Sequence, residues 1–383
     1  MKIDPKIAAQ IRLISRYLLI FVFSILVGWF LLKPSKNKQE EACVNIYDWY
    51  GMLPREVIQQ FEKETGIRVR YDLYDNNEIL EAKLLASNSG YDIVFPSASP
   101  YVARQIAVGI YQPLNKSLLT NLNQLDPFIE MQMRLVDSEL KYALPYYWGT
   151  LGIAFDVDKM NALLPGVPQD SYDLLFNPEN LKKLAPHGIS FLEEGVDVIP
   201  LIQNYLGKSR DSVIESDLEE ACHHLLKLRP YIKRFTSGRF INDLVMGDVC
   251  IAQAWSGEAQ QAEEEAKEVG RNIKYVIPKE GTTLWIDCVA IPVGAPHPKN
   301  AHLFINFLLR PEVSAKITNH TNIPTAVHES YKLVDARIRA NPSVFPSKEV
   351  MKKLYLDKPQ TDEKSMNYDR LRTRAWSKVR LNR

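Results

Sequence analysis

Short apolar strands and amphipathic helices alternate along this chain from about residue 43 onward. The strand-like runs are VNIYDW, IRVRYDLY, YDIVFPS and ALPYYW, and the helix-like runs between them are REVIQQFEKET, NEILEAKLLAS and YVARQIAVG. Asn76 and Asn77 lie where an N-cap of the second helix is expected. Such alternation predicts an α/β fold with a mostly parallel sheet and helices on both faces.

A second alternating set begins at about residue 188, and it predicts a second lobe. It contains GISFLEE, the helix DLEEACHHLLKLRP, a helix that turns at Gly247 into the strand VCIAQAW, and the β-like KYVIPKEGTTLWIDCVAIPVGA. The apolar segments YYWGTLGIAFD and VCIAQAWSGE are typical of chain that crosses between lobes. We predict one lobe from residues 43–150 with about 256–310, and a second from residues 151–255 with about 311–383.

Several aromatic and polar residues are predicted at the same edge of the sheet. Trp49, Ser97, Trp148 and Trp255 lie at or just past the ends of predicted strands. In open α/β sheets, ligands bind beyond the carboxyl ends of the strands. The pattern therefore favours a pocket in a cleft between the lobes.

Residues 1–42 predict a cytoplasmic tip, a membrane anchor or signal, and a polar tether. Residues 17–32 are uncharged and largely apolar, slightly short of the roughly 20 residues that span a bilayer. Arg12, Arg16 and Lys33 flank the run, and their long side chains can extend to the membrane surface, which lengthens the span that the run covers. The basic residues before it place the N-terminus in the cytoplasm. A cleaved secretory signal is the alternative. No small-x-small site follows the run, which favours an uncleaved N-terminal hydrophobic helix.

The charge balance argues against a nucleic-acid partner. The chain has 47 Lys and Arg against 46 Asp and Glu, a formal net charge of +1. Residues 1–41 hold seven basic and three acidic residues, so the remainder carries a net charge of −3, as a binder of cations would. Four cysteines define no disulfide framework in so long a chain: Cys43, Cys222, Cys250 and Cys288. Cys250 and Cys288 lie in apolar runs, which predicts buried free thiols.

The sequence contains no recognisable set of residues for catalysis. It has no G-x-S-x-G, P-loop or H-E-x-x-H motif, so we predict no enzyme, no cofactor and no metal site. His223 and His224 follow Cys222, but adjacent residues on a helix point in different directions. We interpret these three residues as part of a solvated helix face.

Ordered motifs along the chain carry a family resemblance. They include IYDWYGMLPREVIQQFEKETGIRVRYD, NNEILEAKLL, YDIVFPSAS, LPYYWGTLGI, WSGE, IPKEG and RTRAW. From about Val44 to its C-terminus the chain resembles the bacterial periplasmic polyamine-binding proteins, which are substrate receptors of spermidine/putrescine ABC transporters. VFPSAS and RTRAWSKVR are closer to the putrescine-preferring members.

The resemblance implies a two-lobed periplasmic-binding-protein fold with a hinged interlobe cleft that closes on its ligand. It also implies capture of putrescine, or of spermidine, and delivery to inner-membrane ABC permease subunits. The protein is then expected in the periplasm as a monomer, tethered to the inner membrane by its N-terminal helix, or free if that helix is cleaved.

The chemistry of a polyamine dictates what such a pocket must contain. A diamine carries an ammonium at each end at neutral pH, because its amine pKa values lie near 10. Burying these charges requires carboxylates or several acceptors, and the methylene chain requires apolar or aromatic walls. We expect two separated acidic clusters bridged by aromatic residues.

Residue by residue, the resemblance implies aromatic walls, a serine that accepts a hydrogen bond, and acidic partners for the ammonium groups. The implied binding residues are Trp49, Tyr50, Ser97, Asp197, Trp255, Glu258, Trp285 and Asp287. An aspartate in the apolar run LWID is costly to bury without a partner, which makes Asp287 the foremost of them.

Structural alternatives remain open for four of these residues. Trp49 also suits a hydrophobic core, and Ser97 suits the cap of the following helix. Asp197 also suits an acid at a helix start, and Asp287 an ion pair with an arginine.

The chain departs from the family pattern at three places. Glu258 stands where relatives carry an aspartate, Ile323 where relatives often carry a tyrosine, and residues 50–52 replace a more polar segment. Tyr50 either restores aromatic surface or fills part of the slot, so the identity of the polyamine stays open.

Other functions stay open at this point. A tethered polyamine sensor would have the same binding residues. A receptor for another organic cation, or for a metal held by Tyr146 and Tyr147, is a further alternative.

Overall fold

The computed structural model describes residues 42–86, 89–357 and 363–381. The predicted tip and apolar segment, with the tether up to residue 41, lie outside these residues. In the described ranges no helix is both long and apolar enough to cross a membrane.

The secondary structure follows the predicted alternation of strands and helices. The strands are β1 Cys43–Trp49, β2 Arg68–Tyr74, β3 Ile93–Val94, β4 Ala143–Asp156, β5 Ile189–Phe191, β6 Arg234–Phe235, β7 Ile251–Trp255, β8 Ile273–Val276, β9 Thr282–Ala290 and β10 Leu354–Tyr355. The α-helices are α1 Arg55–Thr65, α2 Asn77–Leu85, α3 Ala103–Ala107, α4 Pro127–Met133, α5 Val157–Leu163, α6 Asp173–Phe176, α7 Pro178–Leu184, α8 Gly195–Tyr205, α9 Glu215–Leu228, α10 Phe240–Met246, α11 Ser256–Glu268, α12 Pro298–Leu308, α13 Pro311–Thr321, α14 Ala336–Arg339, α15 Lys348–Met351 and α16 Glu363–Leu381. Shorter helical turns lie at Ala98–Val102, Lys116–Leu118, Leu122–Gln124, Ala185–His187, Arg229–Tyr231 and His328–Leu333.

Local sequence signals explain where several helices begin and end. The side chain of Asn76 accepts a hydrogen bond from the backbone N–H of Ile79, which confirms the predicted cap of α2. Helices α1 and α10 end at Gly66 and Gly247, whose φ angles of 72° and 78° lie in the left-handed region. Glycine adopts this region at little cost, so both helices stop where the chain must turn into the next strand.

The strands form one mixed sheet with the order β2-β1-β3-β9-β4-β7-β5-β6, and β8 and β10 pair with β4 and β9. Strand β1 is parallel to β2 and β3, and β5 is parallel to β6 and β7. Strand β9 is antiparallel to β3 and β4, and β4 is antiparallel to β7 and β8. The α/β class is confirmed, but the expectation of a mostly parallel sheet is wrong at the centre, where β9 returns between β3 and β4 in the opposite direction.

Strand β4 belongs to two hydrophobic cores. All of its residues from Ala143 to Asp156 are buried. Its first part, up to Trp148, packs in a first core that includes Ile46, Phe61, Phe95, Tyr147, Ile286 and Phe304. Leu151, Ile153 and Phe155 pack in a second core that includes Phe176, Phe191, Ile251 and Trp376. The chain therefore passes from one core to the other near Gly149 and Thr150, within the segment predicted to cross.

Helices α11 and α13 pack on different parts of the sheet. The buried alanines of α11 pack with Ala154 and Tyr275, on the β7 and β8 side of β4. This helix follows β7 without a loop, so it stays beside that strand. Val313 and Ile317 of α13 pack in the first core.

The end of the chain contacts both cores. Leu354 and Leu356 pack in the first core, and Tyr355 between them packs in the second. In α16, Trp376 lies against Gly195, and its indole N–H donates to the Glu193 carbonyl at 2.7 Å. Residues 354–356 therefore contribute to both cores, and Trp376 attaches α16 to the start of α8.

Cys222, Cys250 and Cys288 are free thiols. Cys250 lies in the second core and Cys288 in the first, and both are fully buried. The prediction of buried free thiols is confirmed for these two residues. Burial raises the pKa of Cys250 to about 12.

Candidate functional site

Trp49 lies at the end of β1, on the rim of the first core. Its indole N–H donates to the carbonyl of Phe95 at 2.9 Å, and its ring centroid lies 4.6 Å from that of Tyr74. The residue keeps part of its surface exposed. It is therefore held in a fixed orientation by the core while one side remains accessible to a ligand.

Asp287 is held beside Ser97 by hydrogen bonding and by strand pairing. The two residues form an antiparallel bridge, and the Ser97 hydroxyl donates to Asp287 Oδ1 at 2.6 Å. Ser97 Oγ in turn accepts from the Asn77 side-chain amide at 2.9 Å. The Ser97 side chain makes no capping hydrogen bond to the following helix. The Ser97 hydroxyl therefore binds Asp287, and the alternative that it caps the following helix is wrong.

The Asp287 carboxyl is buried without a cation. The residue is 8% exposed, and no described arginine or lysine pairs with it. Burial raises its pKa to about 7, although the hydrogen bond from Ser97 acts in the opposite direction. The alternative of an arginine ion pair is therefore wrong within the described residues.

Asp48 is a second buried acid in this region, and the sequence interpretation missed it. Asp48 is fully buried, and it accepts from the Trp49 backbone N–H at 2.8 Å and from the Tyr71 hydroxyl at 3.0 Å. Burial raises its pKa well above the usual range, and the charge of Asp287 adds to the rise. An acid inside the apolar strand IYDW is the same signal that singled out Asp287 in LWID.

Trp255 and Glu258 form a second group at the end of β7. Trp255 is the last residue of β7 and faces Leu151 of β4. Glu258 follows in the first turn of α11, and its Oε2 atom is buried without a hydrogen-bond partner among the described residues. Burial raises the pKa of Glu258 to about 7. A half-buried acid with a buried, unpartnered oxygen is a feature that a bound cation would satisfy.

Trp285 lies against the turn that carries Trp255 and Glu258. It faces Gly149 across the β4–β9 pair. A Cβ atom at Gly149 would lie 2.4 Å from both the Trp285 ring and the Ser256 hydroxyl, so only glycine allows this approach. The Trp285 indole N–H is buried without a partner in the described structure. Trp285 is therefore packed next to Ser256, the residue that follows Trp255.

Ile323 lies against the same turn, at Gly257. A Cβ atom at Gly257 would lie 2.7 Å from Ile323 Cδ1. Ile323 also packs against the first core. This departure from the family pattern thus places an aliphatic side chain where it touches both the first core and the WSGE turn.

Two predicted residues lie apart from these groups. Tyr50 is 79% exposed. Asp197 lies in the first turn of α8, where burial raises its pKa well above the usual range, with further contributions from Glu194 and Asp357. Arg372 opposes that rise. No hydrogen bond or ion pair of the described residues joins Asp197 to Trp49, Glu258 or their neighbours.

The comparisons with known proteins agree with the motifs. Residues 56–346 match the family model of bacterial extracellular solute-binding proteins. The chain belongs to this family. It is 43% identical over 345 residues to the putrescine-binding periplasmic protein PotF of Escherichia coli K12, which covers 89% of this chain and 92% of that protein. This confirms the resemblance that the motifs carry.

Further members of the solute-binding family show the same relationship. The putrescine-binding periplasmic protein SpuD of Pseudomonas aeruginosa UCBPP-PA14 is 41% identical, over 89% of this chain and 92% of that protein. The crystal structure of the spermidine/putrescine ABC transporter substrate-binding protein PotD from Streptococcus pneumoniae superposes with a TM-score of 0.77 at 27% identity. That match covers 88% of this chain and 99% of that one.

Proposed function

We propose that the protein is the substrate-binding receptor of a polyamine ABC transporter. It captures putrescine or a related polyamine in the periplasm and delivers it to the permease subunits, without catalysing a reaction. The relatives named for putrescine binding support this function. The observation that carries it is the pair Asp287, which is buried, and Glu258, whose Oε2 atom is buried, neither of which pairs with a cationic side chain among the described residues.

One ammonium of the ligand binds at Asp287, and the other binds at Glu258. Each carboxyl is costly to ionise while it is buried alone, and an ammonium at hydrogen-bonding distance removes that cost. Trp49, Trp255 and Trp285 supply the walls for the methylene chain, and each aromatic face adds roughly 0.5–2 kcal/mol of cation–π attraction. Tyr50 and Asp197 join the site when the cleft closes.

Closure takes place about the segment of β4 that passes between the cores. We assign β1 to the first half of β4, with β9 and α13, to one lobe, and the second half of β4 through β8, including α11, to the other. Trp49, Ser97 and Asp287 then belong to the first lobe, and Trp255 and Glu258 to the second. A ligand with two charged ends bridges the lobes and draws them together. The receptor acts as a monomer.

Residues 17–32 tether the receptor to the inner membrane. A tether raises the local concentration of receptor at the permease. The apolar run and the basic residues before it support this role. N-terminal sequencing of the mature protein tests it, because a start near residues 30–43 would mean that the segment is cleaved.

Calorimetry with a panel of amines tests the function. The purified protein should bind one polyamine per chain without added metal, from a panel of putrescine, cadaverine, agmatine, spermidine and spermine, with ferric iron as the control. n-Butylamine resembles putrescine but carries one ammonium. It should bind at least about 30-fold more weakly, because one buried carboxyl then loses its counter-charge. No heat with any polyamine would reject the proposal.

A further inference from the structure

The indole N–H of Trp285 is a buried hydrogen-bond donor for which the described structure holds no acceptor. Three other tryptophans are satisfied by the fold. The N–H groups of Trp49, Trp148 and Trp376 each donate to a backbone carbonyl, at 2.9, 3.2 and 2.7 Å. A buried indole N–H normally finds such a partner, because leaving it unpaired costs free energy. Trp285 differs from these three, and its missing acceptor is a group that a ligand can supply.

The edge of Trp285 that carries the N–H lies against the WSGE turn. A Cβ atom at Gly149 would lie 2.6 Å from Trp285 Cε2, which is bonded to Nε1, and 2.4 Å from its neighbour Cζ2. The same Cβ atom would lie 2.4 Å from the Ser256 hydroxyl. That hydroxyl accepts from the backbone N–H of Thr150 at 3.1 Å. The Trp285 donor therefore borders the turn without being paired by it.

Glu258 supplies an unpaired acceptor in the same turn. It lies two residues after Ser256, and its Oε2 atom is buried without a partner among the described residues. The Asp287 end of the proposed site is different, because there the Ser97 hydroxyl donates to the acid and accepts from Asn77. The turn thus presents both a donor and an acceptor, whereas the Asp287 end presents an acid to a cation.

An ammonium group satisfies only half of the turn. It has donors and no acceptor, so it binds the Glu258 carboxylate and offers nothing to the Trp285 N–H. A guanidinium group has the same limitation. A carboxylate would accept from Trp285, but it would be repelled by the acid beside it. An amide carries an N–H donor next to a carbonyl acceptor, so it can donate to Glu258 and accept from Trp285.

We propose that the pocket also binds a diamine in which one nitrogen is acylated, with its free ammonium at Asp287 and its amide at Glu258 and Trp285. This inference rests on the proposed function, because it uses the same site and the same ammonium position. Trp285 then determines specificity as well as forming a wall. Its N–H favours a ligand with an acceptor at one end, a group that an unmodified polyamine lacks.

A comparison of two monocations tests the inference on the wild-type chain. N-Acetylputrescine and n-heptylamine each carry one ammonium, followed by a chain of equal length, but only the first contains an amide. In calorimetry, N-acetylputrescine should bind at least about tenfold more tightly than n-heptylamine, because two hydrogen bonds form at the turn. Putrescine is titrated in parallel as the reference for the proposed function.

Trp285→Phe separates the N–H from the aromatic wall. The variant keeps an aromatic ring and removes the donor, so it should weaken binding of N-acetylputrescine about tenfold more than it weakens binding of putrescine. Trp376→Phe is the matched control, since it removes an indole N–H that donates to the Glu193 carbonyl. It should leave the ratio of the two Kd values as in the wild type.

Two results would overturn this inference while putrescine still binds, and both leave the proposed function standing. One is N-acetylputrescine that binds no more tightly than n-heptylamine, as expected if water satisfies the Trp285 N–H. The other is a Kd ratio that Trp285→Phe does not change. If that variant does not fold, the comparison of the two monocations decides. Absence of binding by putrescine and N-acetylputrescine alike would overturn both proposals.

Discussion

Replacing Asp287 with asparagine should weaken polyamine binding and, at pH 8, stabilise the ligand-free protein. Burial raises the pKa of Asp287 from 3.8 to about 7, so ionisation at pH 8 costs the folded state on the order of 4 kcal/mol. Asparagine avoids this cost, and its amide oxygen still accepts from Ser97. The ligand loses a counter-charge, which typically costs about 2–5 kcal/mol, or about 30-fold to several thousand-fold in Kd.

The two effects have opposite signs, and this separates a binding role from a structural one. Calorimetry with putrescine gives the change in Kd, and thermal unfolding without ligand gives the change in stability. The stability gain should shrink as pH falls through the folded pKa of about 7, and it should vanish only below the unfolded value of 3.8, where both states are protonated. Asp243→Asn is the matched control, because Asp243 is also buried but pairs with Arg234 at 2.9 Å. It should lose stability and keep its affinity.

A variant Asp287→Asn that unfolds at lower temperature and binds putrescine as the wild type does would refute the reasoning. In that case the carboxyl would serve the fold through its hydrogen bond with Ser97. Loss of both affinity and stability would point to the same structural role, with binding disturbed indirectly.

Three further outcomes follow from the same region. The ligand-free protein should melt at a lower temperature at pH 8 than at pH 5.5. Asp287, Glu258 and Asp357 have pKa values of about 7 in the folded protein, so at pH 5.5 they hold protons that the unfolded chain has already lost. Saturating putrescine should reduce the difference, and equal melting temperatures without ligand would contradict these pKa values. Glu258→Gln should weaken putrescine binding at least about tenfold while raising the ligand-free melting temperature at pH 8, and calorimetry with thermal unfolding checks both. Gly257→Ala should displace Ile323 and weaken binding about tenfold, and Ile323→Ala in the same chain should restore it; additive losses would show that the two side chains do not meet.

Local signals in the sequence predicted much of the fold. The Asn76 cap, the turn at Gly247 and the buried thiols depend on residues close in sequence, or on apolarity alone, and all three are confirmed. The direction of β9 was missed, since the choice between a parallel and an antiparallel neighbour is made by the long connection back from the second core. The packing of α11 was missed for a related reason, because its short alanine face fits either side of a sheet.

The candidate site, too, could be predicted from the sequence only in part. Ser97 and Asp287 lie 190 positions apart, and only the pairing of β9 with the segment after β3 brings them together. The family motifs predict both as binding residues, but they do not show that the two residues pair. Asp48 carried the same signal of an acid in an apolar strand, but its meaning depends on the Tyr71 hydroxyl and on Asp287, which the sequence does not place beside it.

The buried thiols give the protein two different susceptibilities to oxidants. Once folded, Cys250 is buried and its raised pKa disfavours the thiolate, so the thiol is a poor partner for disulfide exchange. Before folding, the same thiol is exposed. A bond between Cys250 and Cys288 would join residues that belong to separate cores in the folded protein. In an oxidising compartment, oxidation of these thiols before folding would therefore compete with the formation of the two cores.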